Sequence, residues 1–410
     1  MKLSSLFLSG VLAREHFHGD KVFRFQVTNE RELSLFDSLV EDYDLWKEPR
    51  FVGDHADIHI PLQDVDRFEM KLIANRVSYN VMIPDLEAAV EDTYNGAAPA
   101  YTTYDDFSYE KYHRYDDYQQ WQKDFAAANS DLVSIDTYGT SFEGRDMNSM
   151  KIGTGSKKIV LHGGTHAREW ISPITMINLA KQLVDEFRAG GANAVYLSDI
   201  TWYITINQNP DGYEYTWTDQ RMWRKTRNTG TPTQCDGVDP NRNWDAHWAT
   251  VGSSSSPCSD TYHGVSAFSE VEMRSASEYM TSLGSIQGYA DVHAYSQYWM
   301  FPYGYQREKV QNYDAMDLMS KDITDAIFAV HRTRFVYGSI YDVIYPAAGS
   351  SCDWVYDVLD VPCSFAPELR DRGQYGFLLP EDQIKAVSEE MWAGFTKWGD
   401  NVIAGKCDSK

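Results

Sequence analysis

The segment HGGTHAREWISP, residues 162–173, follows directly on an apolar run and carries a histidine and a carboxylate three residues apart, His166 and Glu169. Side chains at that spacing can lie on one face of a single turn and share a metal ion. Gly163 and Gly164 precede them and allow the backbone to approach closely. A chain with 11 histidines and 60 acidic residues contains such a pair by chance, so the pair alone is weak evidence for a metal site.

Another histidine far downstream, His293 in DVHAYSQ, closes a second apolar run. Together with His166 and Glu169 it completes a set of two histidines and one carboxylate. This set is typical of a catalytic zinc, which keeps a fourth position open for water, rather than of a structural zinc. Asp239, in CDGVDPNRNWD, is a candidate for the carboxylate that orients a ligand histidine from behind.

The composition is that of a folded, acidic protein. Its 410 residues suffice for one large domain and a smaller one, and 43% of them are hydrophobic. The net charge of −23 argues against nucleic acid or anionic membranes as partners, because phosphate binding needs clustered lysine and arginine. The chain has no run of 18 apolar residues, so no transmembrane helix is predicted.

The first 13 residues are apolar and end in small residues, which favours a signal peptide over an ordinary buried segment. We therefore expect a secreted protein.

The five cysteines contain no C-x-x-C pair, which excludes a cysteine zinc site. Cys235 and Cys258 flank a long polar segment, and a disulfide closing it would contribute roughly 3 kcal/mol. With an odd number of cysteines, at least one must stay unpaired within the chain.

The first hundred residues predict a small domain, assigned to residues 14–100. Alternating hydrophobicity indicates strands, and apolar residues at helical spacing indicate helices between them. This order is typical of an α+β open sandwich, and small residues with a proline mark a linker near residues 95–106. The predicted strands are 22–27, 56–61 and 77–83, and the predicted helices are 29–42, 63–74 and 86–92.

Residues 101–410 predict a larger α/β domain in which strands and helices alternate around a largely buried sheet. His166, His293 and Glu368 all follow predicted strands, which is where sites gather in such folds. The predicted strands are 158–161, 202–206, 288–292 and 362–366, and the predicted helices include 313–330 and 381–398.

Two further helix starts are predicted from capping patterns. Ser172 and Pro173 match the cap and first turn of a helix. Ser269 with Glu272 matches a capping box, which predicts a helix to about Ser282.

Seven segments follow HGGTHAREWISP in a fixed order: NPDGYEYTW, RMWRKTR, GVDPNRNWD, PCSDTYHG, HAYSQ, FPYGY and ELRDRGQYGFLLP. Together the eight segments resemble the pancreatic-type (A/B) zinc metallocarboxypeptidases, from about residue 109 to residue 398. Residues 15–95 resemble the propeptide domain of the same family. The resemblance implies a mixed central β-sheet flanked by helices, and a zymogen whose own propeptide is its inhibitor.

Carried over by position, the resemblance implies one zinc ion held by His166, Glu169 and His293. Glu368, in PELRD, would act on the zinc-activated water as general base and then as general acid. Arg224, in MWRKTR, would polarise the scissile carbonyl and stabilise the oxyanion. Without the resemblance, an isolated acid or arginine would be interpreted as part of a surface ion pair.

An enzyme that removes C-terminal residues must recognise a free carboxylate, for which a guanidinium helped by an amide and a phenol is suited. The resemblance assigns these groups to Arg242, Asn241 and Tyr345, the last as a mobile tyrosine that closes over the substrate. Arg168 matches an arginine of a more distant subsite. The expected substrates are the C-termini of peptides and proteins.

Members of this family differ in the pocket that binds the side chain of the substrate's C-terminal residue. Members that prefer basic residues carry an acid at its base, where this chain has Cys352. Asp291 keeps a polar or basic preference open, because it lies two residues before His293 and points to the same strand face. A Cys352–Cys363 disulfide would also reshape the pocket floor. The remaining matched positions are small or apolar, which predicts an aliphatic or aromatic preference: Met300, Gly304, Ile340, Ile344 and Ala347.

Activation departs from the family pattern, in which cleavage follows a basic residue at the domain junction. No lysine or arginine lies between Arg76 and Lys111, so trypsin-like activation is disfavoured and the activating protease is left open.

We expect a monomer without membrane or nucleic-acid partners. A non-catalytic peptide-binding relative is the alternative, disfavoured because no ligand, base or oxyanion group is lost. A serine hydrolase is disfavoured because the chain has no G-x-S-x-G.

Overall fold

The computed structural model describes residues 14–40, 43–231 and 233–410. They form a four-stranded sheet near the N-terminus and an eight-stranded sheet in the rest of the chain. The predicted signal peptide, residues 1–13, and positions 41–42 of the first predicted helix lie outside the described residues. Within those residues, no helix combines the length and apolarity that crossing a bilayer requires.

The N-terminal unit consists of four strands and three helices: β1 (Lys21–Gln26), α1 (Glu30–Val40), β2 (Asp44–Lys47), β3 (His55–Ile60), α2 (Leu62–Ala74), β4 (Tyr79–Ile83) and α3 (Leu86–Gly96). Its strands are antiparallel in the order β2-β3-β1-β4. Phe23 and Phe25 of β1 pack with Phe36 of α1 and Phe68 of α2 in one apolar core. The result is an open sandwich as predicted, with β2 added at one edge.

The larger unit is built on eight strands: β5 (Val133–Thr140), β6 (Asp146–Ile152), β7 (Lys157–Gly163), β8 (Ile200–Thr205), β9 (Gly288–Val292), β10 (Tyr298–Phe301), β11 (Val336–Ser339) and β12 (Cys363–Glu368). They pair in the order β11-β10-β12-β9-β7-β8-β6-β5. The centre is parallel, because β7 runs parallel to both β8 and β9, and β9 to β12. Antiparallel pairs join β6 to β8 and β10 to β12, so the sheet is mixed, as predicted.

Helices cover both faces of this sheet: α4 (Tyr115–Ala128), α5 (Ile171–Ala189), α6 (Val195–Ser198), α7 (Pro210–Thr218), α8 (Val271–Ser282), α9 (Tyr313–His331), α10 (Ile340–Val343), α11 (Ser351–Val358) and α12 (Ile384–Ile403). Alternation along β7 shows the two layers. Ile159 and Leu161 lie in the core that contains α5 and α12, whereas Val160 lies in the core that contains α8 and α11. Short 3-10 turns occur at Tyr104–Asp106, Ala192–Ala194, Pro240–Arg242, Gly376–Leu378 and Glu381–Gln383.

Both predicted helix caps are wrong. Helix α5 already includes Ser172, and the Ser172 hydroxyl instead donates to the Val292 carbonyl at 2.5 Å. Helix α8 begins at Val271, after Ser269, and its cap position carries no side-chain hydrogen bond. The Glu272 carboxylate is buried and accepts the Phe142 backbone N–H at 2.9 Å. This tertiary contact replaces the capping-box hydrogen bond predicted for Glu272.

The structure contains two disulfides, Cys235–Cys258 and Cys363–Cys407. The second joins the start of β12 to the tail that follows α12. Cys352 is a buried free thiol, so the alternative Cys352–Cys363 bridge is wrong.

A buried histidine stabilises the N-terminal unit and makes its stability depend on pH. The His59 ring lies 2.9 Å from Asp20 and 3.6 Å from Asp44. Burial alone would lower the pKa of His59, but the two carboxylates raise it to about 9. The folded-state pKa lies above the unfolded one, so this stabilisation is complete below about pH 6.5 and is lost as the pH rises through about 9.

We therefore expect urea unfolding of the N-terminal unit to become easier between pH 6.5 and 9.5. The loss should be on the order of 3 kcal/mol, because the two carboxylates raise the pKa of His59 to about 9 in the folded chain. The variant His59→Gln should show a flat profile over the same range. A wild-type profile as flat as that of His59→Gln would contradict the role assigned to this histidine.

Candidate active site

Strand pairing brings the predicted metal ligands together. β7 and β9 are neighbouring parallel strands, with Gly163 opposite Val292 at their carboxyl ends. His166 and Glu169 lie in the loop that leaves β7, and His293 follows β9 directly. All three side chains are buried beyond the carboxyl ends of these central strands, which is where ligand sites form in such sheets.

The loop after β7 turns at a glycine that no other residue can replace without strain. Gly164 has φ +64°, and a Cβ atom there would approach the Asn207 side chain to 2.7 Å. The Gly164 N–H donates to the Ser172 hydroxyl at 3.0 Å, and that hydroxyl donates to Val292 of β9. Ser172 therefore connects the loop after β7 to the end of β9.

The three ligand side chains converge on one point. His166 Nδ1 lies 2.8 Å from Glu169 Oε1, and His293 Nδ1 lies 3.2 Å from Glu169 Oε2. The two histidine Nδ1 atoms are 3.2 Å apart. Ligands about 2.0–2.1 Å from a tetrahedral zinc lie about 3.3 Å from one another, so the donor set and its spacing fit zinc. Burial alone would raise the pKa of Glu169, but the two histidines lower it to about 2.

Each ligand histidine has a carboxylate behind it. His166 Nε2 lies 3.1 Å from Asp239 Oδ1, and His293 Nε2 lies 3.1 Å from Asp291 Oδ2. Such partners fix the ring orientation and make the metal-facing nitrogen more basic. Asp291 also accepts the hydroxyls of Thr165 and Ser351 at 2.6 Å each. The structure thus directs Asp291 at His293 rather than into the side-chain pocket, where sequence analysis considered it.

Glu368 ends β12 and lies beside the ligands, where His293 forms an isolated bridge with it. Its Oε2 is buried and has no hydrogen-bond partner among the described residues. Burial, and then the charge of Glu169, raise the pKa of Glu368 well above its usual value. A carboxyl group in this setting is suited to exchange a proton with a bound molecule.

Arg224 shares one of the supporting carboxylates. Its Nε and Nη2 donate to Asp239 Oδ2 at 3.2 and 2.8 Å, while Asp239 Oδ1 faces His166. Burial alone would lower the pKa of Arg224, but the Asp239 carboxylate raises it. Arg224 therefore stays a cation at the cavity that Glu368 also lines. The contact of Asp239 with a histidine follows the prediction from sequence, whereas its contact with Arg224 carries no sequence signal.

Asn241 and Arg242, predicted to bind a carboxylate, lie in the 3-10 turn Pro240–Arg242 beside the ligands. Asn241 Nδ2 lies 3.2 Å from His293 Nε2. Arg242 donates to backbone carbonyls through Nε and Nη1, both at 2.8 Å, whereas its buried Nη2 has no partner among the described residues. The guanidinium lies 5.6 Å from the centre of the Tyr345 ring, which lines the cavity.

The predicted pocket residues form a small apolar cluster. Met300, Ile340 and Cys352 are buried together, with Ile344 packed against them. Cys352 Sγ lies 3.2 Å from the Ser364 hydroxyl, and burial raises the pKa of the thiol well above its usual value. The two remaining wall positions are joined by a backbone hydrogen bond from Ala347 N–H to the Gly304 carbonyl at 2.8 Å.

The N-terminal unit closes over this site. Trp46, Lys47, Glu48 and Arg50 line the same cavity as His166, Arg224, Tyr345 and Glu368, and only about 50 Å³ of space remains there. The covering contacts include Trp46 packed on Phe377, with ring centres 5.1 Å apart. Arg168, assigned to a distant subsite, donates to Asp44 of strand β2 at 2.9 Å.

Comparison with known proteins agrees with this geometry. Residues 118–394 match the family model described as zinc carboxypeptidase, and residues 23–93 match the carboxypeptidase activation peptide. The chain is 36% identical to carboxypeptidase A1 of Homo sapiens, over 95% of each chain. It is 37% identical to carboxypeptidase B of Canis lupus familiaris, over 95% of this chain and 94% of that one.

Solved structures extend the similarity to the whole described fold. The crystal structure of thrombin activatable fibrinolysis inhibitor superposes with a TM-score of 0.86 at 29% identity, covering 95% of this chain and 100% of that one. Carboxypeptidase A from Helicoverpa armigera gives a TM-score of 0.86 at 28% identity, covering 96% and 99%. The chain therefore belongs to the zinc carboxypeptidase family and carries a carboxypeptidase activation peptide before its enzyme domain.

Proposed function

We propose that the chain is a secreted zymogen whose enzyme domain hydrolyses the last peptide bond of peptides, with a preference for aliphatic or aromatic C-terminal residues. One observation carries the proposal. A buried carboxyl group, a buried guanidinium and two residues of the candidate metal triad line one cavity, beside an arginine with a free donor. These groups supply water activation, oxyanion stabilisation and carboxylate recognition.

In this proposal His166, Glu169 and His293 hold the zinc ion. When bound, zinc supplies a Lewis acid that makes water nucleophilic near neutral pH. Glu368 accepts a proton from the attacking water and then delivers it to the nitrogen of the leaving residue, so the same carboxyl group serves both steps. Arg224 donates hydrogen bonds to the scissile carbonyl oxygen as negative charge develops there.

The substrate carboxylate is bound by Arg242 and Asn241. Arg242 Nη2 is the donor left free by two backbone hydrogen bonds, so the guanidinium is already oriented before substrate enters. Tyr345 adds a phenol at the cavity. A peptide without a free C-terminal carboxylate leaves these donors unsatisfied, which disfavours its binding.

The preference for apolar C-terminal residues rests on the pocket cluster. Cys352 occupies its floor as a neutral thiol, which offers no charge to a lysine or arginine side chain. Asp291, the other candidate acid, is held by His293, Thr165 and Ser351. The alternative of a polar or basic preference is therefore disfavoured. A non-catalytic peptide-binding module is also disfavoured, because the ligands, Glu368 and Arg224 are all present.

The N-terminal unit is proposed to inhibit the enzyme until it is removed. It fills the cavity mouth with Trp46 and Arg50 and holds Arg168 through Asp44. Removal requires cleavage of the connecting segment, which contains no lysine or arginine between Arg76 and Lys111.

Replacing the proposed base tests the reaction directly. In the activated enzyme, Glu368→Gln should retain zinc and lower kcat by about 10²- to 10⁴-fold on peptides with a free C-terminus. Glu389→Gln, at a partly exposed acid of α12 that contacts His331 and does not line the active-site cavity, is the matched control and should behave as wild type. C-terminally amidated peptides should be poor substrates for all three proteins. Near-normal turnover by Glu368→Gln would exclude its role as base.

The pocket floor can be tested by restoring an acid. Wild type should cleave peptides ending in phenylalanine or leucine at least about tenfold better than the same peptides ending in lysine. Cys352→Asp should raise kcat/KM for the lysine peptide by about tenfold or more, since a charge pair then forms in a desolvated pocket. Cys352→Ser controls for loss of the thiol. A wild-type enzyme that already prefers lysine would contradict the assignment.

Activation is tested by sequencing the N-terminus of the mature enzyme. We expect cleavage between residues 77 and 110 after a residue that is neither lysine nor arginine, because none is present there. Trypsin should leave this segment intact while it cleaves exposed basic sites elsewhere. A mature N-terminus immediately after a lysine or arginine would contradict this expectation.

A further inference from the structure

The enzyme domain has a second cavity outside the active site. We call it the arginine groove, defined by Arg332, Arg334, Arg370 and Arg372 together with Asp371. Its volume is about 450 Å³, and the other lining residues are neutral. Four guanidiniums in one concave surface are unusual in a chain whose net charge is −23.

Two of the charged groups in the groove are already satisfied. Arg370 forms a bidentate pair with the Glu390 carboxylate, with distances of 2.8 and 2.5 Å. The Asp371 carboxylate accepts four backbone N–H groups, from residues 373, 374, 375 and 376. Arg370 and Asp371 therefore shape the groove and leave its remaining charge to the other three arginines.

Those three arginines have no internal counter-ion. Along the described parts of the chain, no carboxylate lies within 4.0 Å of the guanidinium of Arg332, Arg334 or Arg372. They are nevertheless held in place. Arg332 and Arg334 lie over the Phe328 ring, at 5.4 and 4.7 Å, and Arg372 donates to the Arg334 carbonyl at 2.7 Å. All three are exposed, so their remaining donors are open to a ligand.

Solvated surface arginines are common and need no ligand. These differ because three of them share one cavity and are positioned by a ring and a carbonyl. Clustered like charges repel one another, and an entering carboxylate relieves that repulsion while it satisfies the guanidinium fork bidentately. The chemistry of the groove thus selects carboxylates.

Two short segments of the chain contribute neighbouring residues to the groove and to the active-site cavity. Ser296 and Tyr298 line the active-site cavity, and Gln297 between them lines the groove. Tyr375 lines the groove, and Phe377, two residues on, lines the active-site cavity. Three consecutive residues span at most about 10 Å, so the two cavities are near neighbours. Among the described residues of the N-terminal unit, none lines the groove.

We propose that the arginine groove is a docking site for acidic side chains of the peptide substrate, N-terminal to the bond that is cleaved. The proposal rests on the proposed function, which fixes the C-terminal end of the peptide at Arg242. An extended peptide advances about 3.3 Å per residue, so residues upstream of the cleaved bond can extend from the active-site cavity toward the neighbouring groove. The favoured substrate class is peptides with an acidic segment shortly before an apolar C-terminal residue.

The test compares two peptides with the same phenylalanine C-terminus, one with glutamates and one with glutamines at the upstream positions. Activated wild-type enzyme should show about tenfold higher kcat/KM on the glutamate peptide, mainly through KM, because three exposed ion pairs each contribute modestly. About 0.5 M salt should remove most of this preference, since exposed pairs are screened. Arg334→Gln/Arg372→Gln should lower the ratio to about twofold, because Arg332 still contributes one modest pair, whereas Arg188→Gln, which lines neither cavity, should preserve the full ratio.

Equal hydrolysis of the two peptides by wild type would overturn the docking site and leave the proposed function standing. A double variant that kept the full preference would overturn it as well. If wild type hydrolysed neither peptide, the proposed function itself would fail and the docking site with it. The ratio within each protein is the readout, so a variant with less active material still gives a valid result.

Discussion

The active site depends on the parallel pairing of β7 with β9. This pairing places the carboxyl ends of two strands side by side, and the proposed metal ligands His166 and His293 follow those two ends. Two imidazole Nδ1 atoms then face each other at 3.2 Å in a buried space that they share with Glu169. A buried cluster of this kind needs a cation or a proton between its lone pairs, and a bound metal ion would meet that need.

The supporting carboxylates connect the parts of the site into one network. Asp239 binds His166 through one oxygen and Arg224 through the other, so a metal ligand and the proposed oxyanion group cannot move independently. Asp291 contacts His293 and accepts the Ser351 hydroxyl, and Ser351 precedes Cys352 of the proposed pocket floor. Replacing either carboxylate therefore disturbs more than the orientation of one ring, because each is shared between two functions.

Local sequence patterns predict much of the fold, and the elements and contacts that they miss have physical reasons. Strands β7 and β9 are apolar runs buried on both faces, which sequence reveals directly. Strand β2 has four residues and two charged ends, so no alternation marks it. Ser172 carries a cap signature, yet its hydroxyl bonds Val292, 120 positions away. Side chains two residues apart on a strand lie on the same face, so a contact between Asp291 and His293 could be predicted. The pattern alone could not show whether the Asp291 carboxylate contacts His293 or lines the side-chain pocket.

The central claim is that the cluster of His166, Glu169 and His293 holds the zinc ion on which hydrolysis depends. The most direct test measures metal content and C-terminal hydrolysis on the same activated protein, before and after treatment with a zinc chelator, and again after zinc is returned. The account predicts a single zinc per chain in wild type, loss of both zinc and hydrolysis on chelation, and recovery of both together. Undiminished hydrolysis by metal-free protein would contradict it.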